Sequence, residues 1–116
     1  MTRVAVVGSR DYPDLDAVRA FVHSLPQGTV VVSGGARGVD RTAADEARLC
    51  GLAVDIHMPD WGRDGRRAGL LRNASIVAAC DRLVAFWAGA STGTAHTLSL
   101  ARRAGRPCEV RTIKAP

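Results

Sequence analysis

Five short apolar runs, each separated from the next by a segment of helical period, constrain this chain more than any other feature. They are Arg3 to Val7, Thr29 to Ser33, Leu52 to His57, Arg82 to Trp87 and Cys108 to Ile113. The first two are near-continuous and rich in valine, without polar alternation. That is the pattern of strands buried on both faces. Between them, Asp14 to Leu25 carries Leu15, Val18, Phe21, Val22 and Leu25 at helical spacing. Val39 to Cys50 places Ala43, Ala44, Ala47 and Cys50 on one face, and Arg67 to Cys80 does the same with Ala68, Leu71, Ile76 and Ala79. Gly93 to Ala104 is the fourth helical segment. Pro13-Asp14 suits a helix start, while Pro26-Gln27-Gly28, Gly51 and Gly105-Arg106-Pro107 suit helix ends. Met58 to Arg66, with Pro59, Gly62 and Gly65, reads as a loop, as does Ala88 to Thr92. The resulting order, β-α-β-α-β-α-β-α-β, predicts a Rossmann-like three-layer α/β/α sandwich around a mostly parallel five-stranded sheet. Its length fits one domain over residues 1–116.

Several classes are excluded early. No apolar run approaches the roughly 20 residues of a membrane helix. The first residues, MTRVAVVGSR, lack signal-peptide architecture, so a soluble, cytoplasmic protein is expected. Cys50, Cys80 and Cys108 are far apart, as are His23, His57 and His96. Their spacing matches neither a zinc site nor a disulfide framework; free core thiols, no metal and no cofactor are expected. The formal charge is +5, and Lys114 is the only lysine among 16 basic residues. GC-rich coding alone favours arginine; so does planar, bidentate recognition of phosphate. The basic balance suits a nucleotide or a nucleic acid without choosing between them.

Ligands of open parallel sheets bind outside the carboxyl ends of the strands, where the strand order reverses. Three loops there share one character: Gly8-Ser9-Arg10, Gly34-Gly35-Ala36-Arg37-Gly38-Val39-Asp40 and Gly89-Ala90-Ser91-Thr92-Gly93-Thr94. Glycine permits close backbone approach, and the amides opening each following helix favour an anion. Ser9, Ser91, Thr92 and Thr94 add hydroxyls; Arg10, Arg37 and Arg41 add charge. Together they fit a phosphate-bearing ligand. Neither the GxGxxG fingerprint nor GxxxxGK[ST] is present, so a standard dinucleotide site and a P-loop are excluded.

The series GSR, SGGARGVDRTAADEA, PDWGRDGRRAGLLRN and AFWAGASTGTAHTLSLA, in that order, resembles the SLOG superfamily. LOG-type phosphoribohydrolases and the DNA-processing protein A belong to it, and the YspA/YpsA-related branch is the most similar. The resemblance runs from about Val4 to Val110. It implies a Rossmann-like sheet, a nucleotide-related ligand held by the Gly34–Asp40 and Gly89–Thr94 loops, and a homodimer. It also implies a departure. LOG-type enzymes cleave N-glycosidic bonds with the glutamate of a PGGxGTxxE motif, and that position here is Thr97, which has no charge to stabilise an oxocarbenium-like centre. Arg72 matches the family's helix arginine or serves as a phosphate clamp.

Individual residues keep two readings each. Asp40 is a helix cap, or a contact to a ribose hydroxyl, or a catalytic carboxylate. Trp61, after Asp60, stacks on a base or packs at a sheet edge or subunit interface. Arg72 and Asn73 line a pocket wall or face solvent. Arg63, Arg66 and Arg67 are a solvated face or a phosphate contact. His96 is a structural histidine before it is an acid or base, and Trp87 packs. The expected ligand-binding set is Gly8, Ser9, Arg10, Gly34, Gly35, Ala36, Gly38, Asp40, Trp61, Arg72, Asn73, Gly89, Ser91, Thr92, Gly93 and Thr94. Asp40 and Arg72 are the candidate catalytic groups. The leading expectation is binding of a nucleotide or nucleotide-derived ligand. Hydrolysis of a nucleoside 5′-monophosphate, which would draw its carboxylate from Asp40 or Asp60, and a nucleic-acid-binding module, not favoured, stand behind it.

Overall fold

The computed structural model describes residues 2–113; Lys114 lies outside them. Strand β1 (Arg3–Gly8) leads to α1 (Leu15–His23), β2 (Val30–Ser33), α2 (Val39–Leu49) and β3 (Ala53–Ile56). Then follow α3 (Trp61–Asp64), a 3-10 turn (Gly65–Arg67), α4 (Ala68–Ala79), β4 (Arg82–Trp87), α5 (Thr92–Arg103) and β5 (Cys108–Thr112). The strands form one sheet in the order β3-β2-β1-β4-β5. Every pairing is parallel, with Val4 opposite Val31 on one side of β1 and opposite Arg82 on the other. The fold is a Rossmann-like α/β sandwich.

The valine-rich strands are buried on both faces because helices cover both. Val4, Val6, Val31, Val84 and Phe86 point to the layer of α1 and α2, where they meet Val18, Val22, Ala43 and Ala47. Ala5, Val7, Val32, Leu83 and Ala85 point the other way, to Ile76, Val77, Leu98 and Ala101 of α4 and α5. This is the period-two alternation of a strand, with both phases apolar. Phe86 anchors the first layer, with Tyr12 and Phe21 edge-on at centroid distances of 5.6 and 6.0 Å. The edge strands β3 and β5 are only partly covered.

Most element boundaries fall within a residue or two of the pattern in the sequence. Asp14 is the cap of α1, its carboxylate accepting from the Ala17 amide at 3.1 Å. Three expectations need correction. The Met58–Arg66 segment is not a plain loop, since Asp60 caps the short helix α3 by accepting from the Arg63 amide at 3.1 Å. Leu71 is not core: it is 41% exposed, and Val77 takes the buried place on α4. Of the three free thiols only Cys80 is buried, and burial pushes its pKa up. No helix among the described residues is long and apolar enough to cross a membrane.

Candidate functional site

The strand order reverses between β1 and β4, and the loops leaving those two strands open a crevice there. A cavity of about 640 Å³ fills it. The end of β1 and the loop after it supply Gly8, Ser9, Arg10 and Asp11, and the loop after β2 with the first turn of α2 supplies Ala36 and Asp40. Trp61, Arg66, Leu70, Arg72 and Asn73 come from the α3–α4 side, and Ala90, Ser91, Thr92, Gly93, Thr94 and Thr97 from the β4–α5 side.

Backbone hydrogen bonds and serine hydroxyls tie these loops together. The Ser9 amide donates to the Phe86 carbonyl at 3.1 Å, and the Ala88 amide donates to the Ser9 hydroxyl at 2.9 Å. The loops after β1 and β4 are thereby fixed to each other across the reversal point. Because Ser9 accepts in that bond, its own hydrogen remains available to a ligand. Ser33, buried at the end of β2, accepts from the Gly35 amide at 3.2 Å and donates to the Asp40 carbonyl at 2.9 Å. Ser33 thus sets the entry of the chain into α2. Its sole signal in the sequence was its place just before two glycines.

Ser91 caps α5: its hydroxyl takes the Thr94 amide and lies 2.9 Å from the Thr94 hydroxyl, and its carbonyl takes the Ala95 amide. A helix leaves its first four amides without partners in the helix. Of those in α5, Thr92 and Gly93 are left open, and both residues line the cavity. Ser91→Ala should cost about 1 kcal/mol of stability, read as a lower urea midpoint; a midpoint equal to wild type would show that the cap contributes nothing.

Asp40 does not cap α2. The cap position is Gly38, with φ of 87°, and it makes no side-chain cap bond. A side chain at Gly38 would strike the Arg10 backbone, its Cβ 2.9 Å from the Arg10 carbonyl carbon. Asp40 sits two residues further on, within the first turn, 6% exposed. Its Oδ1 has no hydrogen-bond partner. Burial pushes its pKa up to about 6, against the opposing pull of the Arg72 guanidinium, the Ala36 and Gly8 amides and Arg10. Those amides favour the carboxylate, yet neither closes a hydrogen bond on Oδ1.

Gly34 separates Asp40 from Arg72. A Cβ there would lie 2.7 Å from Asp40 Oδ2 and 2.8 Å from Arg72 Nη1, so only glycine lets both groups approach. Arg72 Nη1 donates to the Gly34 carbonyl at 2.5 Å and Nε to Asn73 Oδ1 at 3.0 Å. Asn73 Nδ2 lies 3.2 Å from His96 Nδ1. This chain of polar contacts braces the cavity wall from β2 to α5, and it answers why a buried asparagine sits mid-helix. Burial lowers the Arg72 pKa from its ordinary value, although the side chain stays charged at neutral pH.

The structure therefore brings most of the expected set to one cavity. Gly34, Gly35, Gly38 and Gly89 do not line it. Gly34 and Gly38 shape it from behind, and Gly35 lies against Met58. Arg37 and Arg41 do not reach it, while Arg66 of the basic run does. Arg63 pairs with Asp64, and Asp60 is occupied as the α3 cap outside the cavity. Thr97 is buried with its hydroxyl donating to the Gly93 carbonyl at 2.9 Å, so no acid stands where the LOG-type glutamate would. Trp87 packs against the α4–α5 core, with its Nε1 unpartnered. Trp61 is 58% exposed on the lip of the cavity, beside Leu70.

On the opposite helix layer, His23, Glu46 and Cys50 place their ligand atoms within 4.8 Å of one another. Glu46 and Cys50 are one helical turn apart and His23 reaches across from α1, its Nε2 2.5 Å from Glu46 Oε1. Sequence spacing gave no hint of this grouping.

The Gene 61 protein of Mycobacterium phage D29 is 42% identical over 117 residues, spanning 92% of this chain and 94% of the phage protein. The family described as DNA recombination-mediator protein A matches residues 1–54. This chain belongs to one family with that phage protein. Its fold matches DNA processing protein A from Streptococcus pneumoniae with a TM-score of 0.80 at 22% identity, covering 100% of this chain and 51% of that one. The protein of the same name from Helicobacter pylori, whose structure is described for its single-stranded DNA binding mode, gives 0.69 at 20% identity, covering 94% of this chain and 64% of its own. The chain thus spans about half to under two thirds of those two proteins.

Proposed function

We propose that this protein binds single-stranded nucleic acid, seating a phosphate of the strand in the cavity between β1 and β4. Arg10, Arg66 and Arg72 and the open amides of Thr92 and Gly93 receive the phosphate, and Trp61 receives the neighbouring base. One observation carries the reading: an anion cradle and an exposed aromatic ring share the same lip. Phosphate charge and a base face are the two things a single strand offers everywhere along its length. The net charge of +5 agrees with it, and the single-stranded DNA binding named for the Helicobacter pylori relative supports it. The order of expectations therefore changes, with nucleic acid first and a free nucleotide second.

The second reading rests on the cavity itself. Its volume of about 640 Å³ suits a single nucleotide-derived molecule. N-glycosidic cleavage is the weakest reading, because Thr97 is neutral and committed to Gly93.

Fluorescence anisotropy with a labelled single-stranded oligonucleotide tests the proposal at 50 and 200 mM salt. Binding should weaken steeply with salt. Arg72→Ala should weaken it about tenfold and lower the salt slope by about one phosphate contact. Trp61→Ala should cost roughly 1–3 kcal/mol with little change in that slope. Absence of binding at 50 mM salt, with a nucleoside monophosphate still bound, would leave the free-nucleotide reading in its place.

A further inference from the structure

At the far end of the sheet from the cavity, three metal-ligating side chains of different chemistry meet. Helices α1 and α2 each return the chain between parallel strands, so both end at the amino-terminal edge of the sheet. His23 is the last residue of α1. Glu46 lies in the last turn of α2, and Cys50 is the cap of that helix. Cys50 keeps right-handed helical backbone angles, so it stands one turn along from Glu46 on the same face. The two helices share the core of Val18, Val22, Ala43 and Ala47, and that packing brings His23 across to them.

The electrostatics at this point favour a cation. The carboxyl end of a helix carries partial negative charge, and two such ends converge here. The Glu46 side chain is only 14% exposed, and in an arginine-rich chain its ion-pair partner among the described residues is a histidine. Cys50 is a free, partly exposed thiol. A neutral imidazole, a carboxylate and a thiolate together carry two negative charges, which a divalent ion balances.

The ligand atoms of the three residues lie within 4.8 Å of one another. Zinc bonds of about 2.0–2.3 Å in tetrahedral geometry set donor atoms roughly 3.4 Å apart. An ion would therefore part His23 from Glu46, now 2.5 Å apart, by about an ångström and draw the Cys50 sulfur inward. The His23 side chain is 61% exposed and free to make that movement. Nitrogen, oxygen and sulfur donors in one set suit zinc, whereas magnesium and calcium take oxygen. We propose that His23, Glu46 and Cys50 form a site for one zinc-class divalent ion, with water in the fourth position. The Cys50 thiol gives its proton to solvent as the sulfur takes the metal. The bound ion ties the end of α1 to the end of α2. The site shares no residue with the phosphate cavity and stands or falls apart from it.

Cobalt(II), a spectroscopic stand-in for zinc, tests the proposal on the full chain, made without a histidine tag and stripped by chelator. One equivalent should give the intense visible bands of a four-coordinate ion and a thiolate charge-transfer band in the near ultraviolet, and zinc should abolish both. Cys50→Ser should lose the charge-transfer band, while Cys108→Ser should keep it. His23→Ala and Glu46→Gln should each weaken cobalt and zinc binding at least about tenfold. Zinc at about a hundred times its dissociation constant should raise the wild-type Tm by about 10 °C and leave that of Cys50→Ser unchanged. Circular dichroism shows which variants are folded; should Glu46→Gln not be, His23→Ala, with its largely exposed ring, decides. Weak bands of a six-coordinate ion alone overturn the proposal and leave His23 and Glu46 as a pair between two helices. Bands that survive unchanged in His23→Ala or in Cys50→Ser overturn it as well, since the ion would then sit elsewhere.

Discussion

Replacing Gly8 with alanine is expected to destabilise the protein by about 4 kcal/mol, a large share of the roughly 5–15 kcal/mol that holds a domain folded. Gly8 is the last residue of β1, opposite Phe86 of β4. An added Cβ would intrude on the Phe86 carbonyl oxygen and lie 2.8 Å from Val39 Cγ2. Neither neighbour can give way cheaply. Val39 and Phe86 are both fully buried, and the Phe86 carbonyl is the acceptor for the Ser9 amide. Moving it would loosen the tie between the loops after β1 and β4. Overpacking of this kind ordinarily costs 1–3 kcal/mol, and a backbone obstacle places it at or above the upper end. Gly93→Ala is the contrasting case: nothing lies within 4 Å of its Cβ, its φ is not positive, and it sits in α5. That change should be neutral or stabilising by up to about 1 kcal/mol. Urea unfolding of the two variants decides the matter; a Gly8→Ala midpoint close to wild type would mean that the junction of β1 and β4 yields more readily than its packing implies.

The second large effect has the opposite sign. Asp40→Asn should stabilise the protein at pH 7.5 by about 3 kcal/mol, or roughly 10 °C in Tm. The carboxyl titrates near 3.8 when unfolded and at about 6 when folded, so the folded state holds its proton more tightly. Its contribution is most favourable below about pH 4 and is lost as the pH rises through about 6. The asparagine variant carries no such charge and should diverge from wild type across that window, with a constant difference above it. Asp55 runs the other way. Its hydrogen bond with His57 lowers its pKa, and Arg3 adds to that, so its stabilisation is present above the ordinary carboxylate range and is lost in acid. Comparing Asp40→Asn with wild type cancels that contribution. Chemical denaturation at pH 4, 5, 6 and 7.5 measures the difference; a gap that does not change with pH would remove the buried charge as its cause. Site residues that cost stability in this way are a common sign that a group is kept for a ligand.

The sheet was legible in the sequence because its strands are covered on both faces. Such strands need continuous apolar runs, and Val4 to Val7 and Val30 to Val32 are hard to read otherwise. The location of the cavity followed, since alternating strands and helices leave few places for a reversal of order. What escaped had no period to betray it. Helix α3 is four residues long and rests on one cap from Asp60. Leu71 sits at a helical spacing that suits a core face, but α4 turns Ala68, Asn73, Ile76 and Val77 inward and leaves Leu71 exposed. Asp40 reads as a cap because it follows a glycine loop; the chain enters the helix at Gly38 instead, which carries the carboxylate inward. Ser33 and Asn73 act through hydrogen bonds to groups distant in sequence or across a turn, and single-residue propensities are blind to those. The closeness of His23 to Cys50 is a product of α1 packing on α2.

The strand order has a consequence for how the chain is made. Central strand β1 emerges first from the ribosome, but its partner on one side is β4, and Arg3 waits for Asp81 across a separation of 78 residues. At about 5–20 residues per second that interval lasts on the order of 4–16 seconds. Throughout it, β1 lacks its partner on the side where the middle of the finished sheet will be, and its valine-rich edge there is bare. An unpaired edge of that kind is a template for mispairing, and β4 closes it in the same movement that forms the cavity.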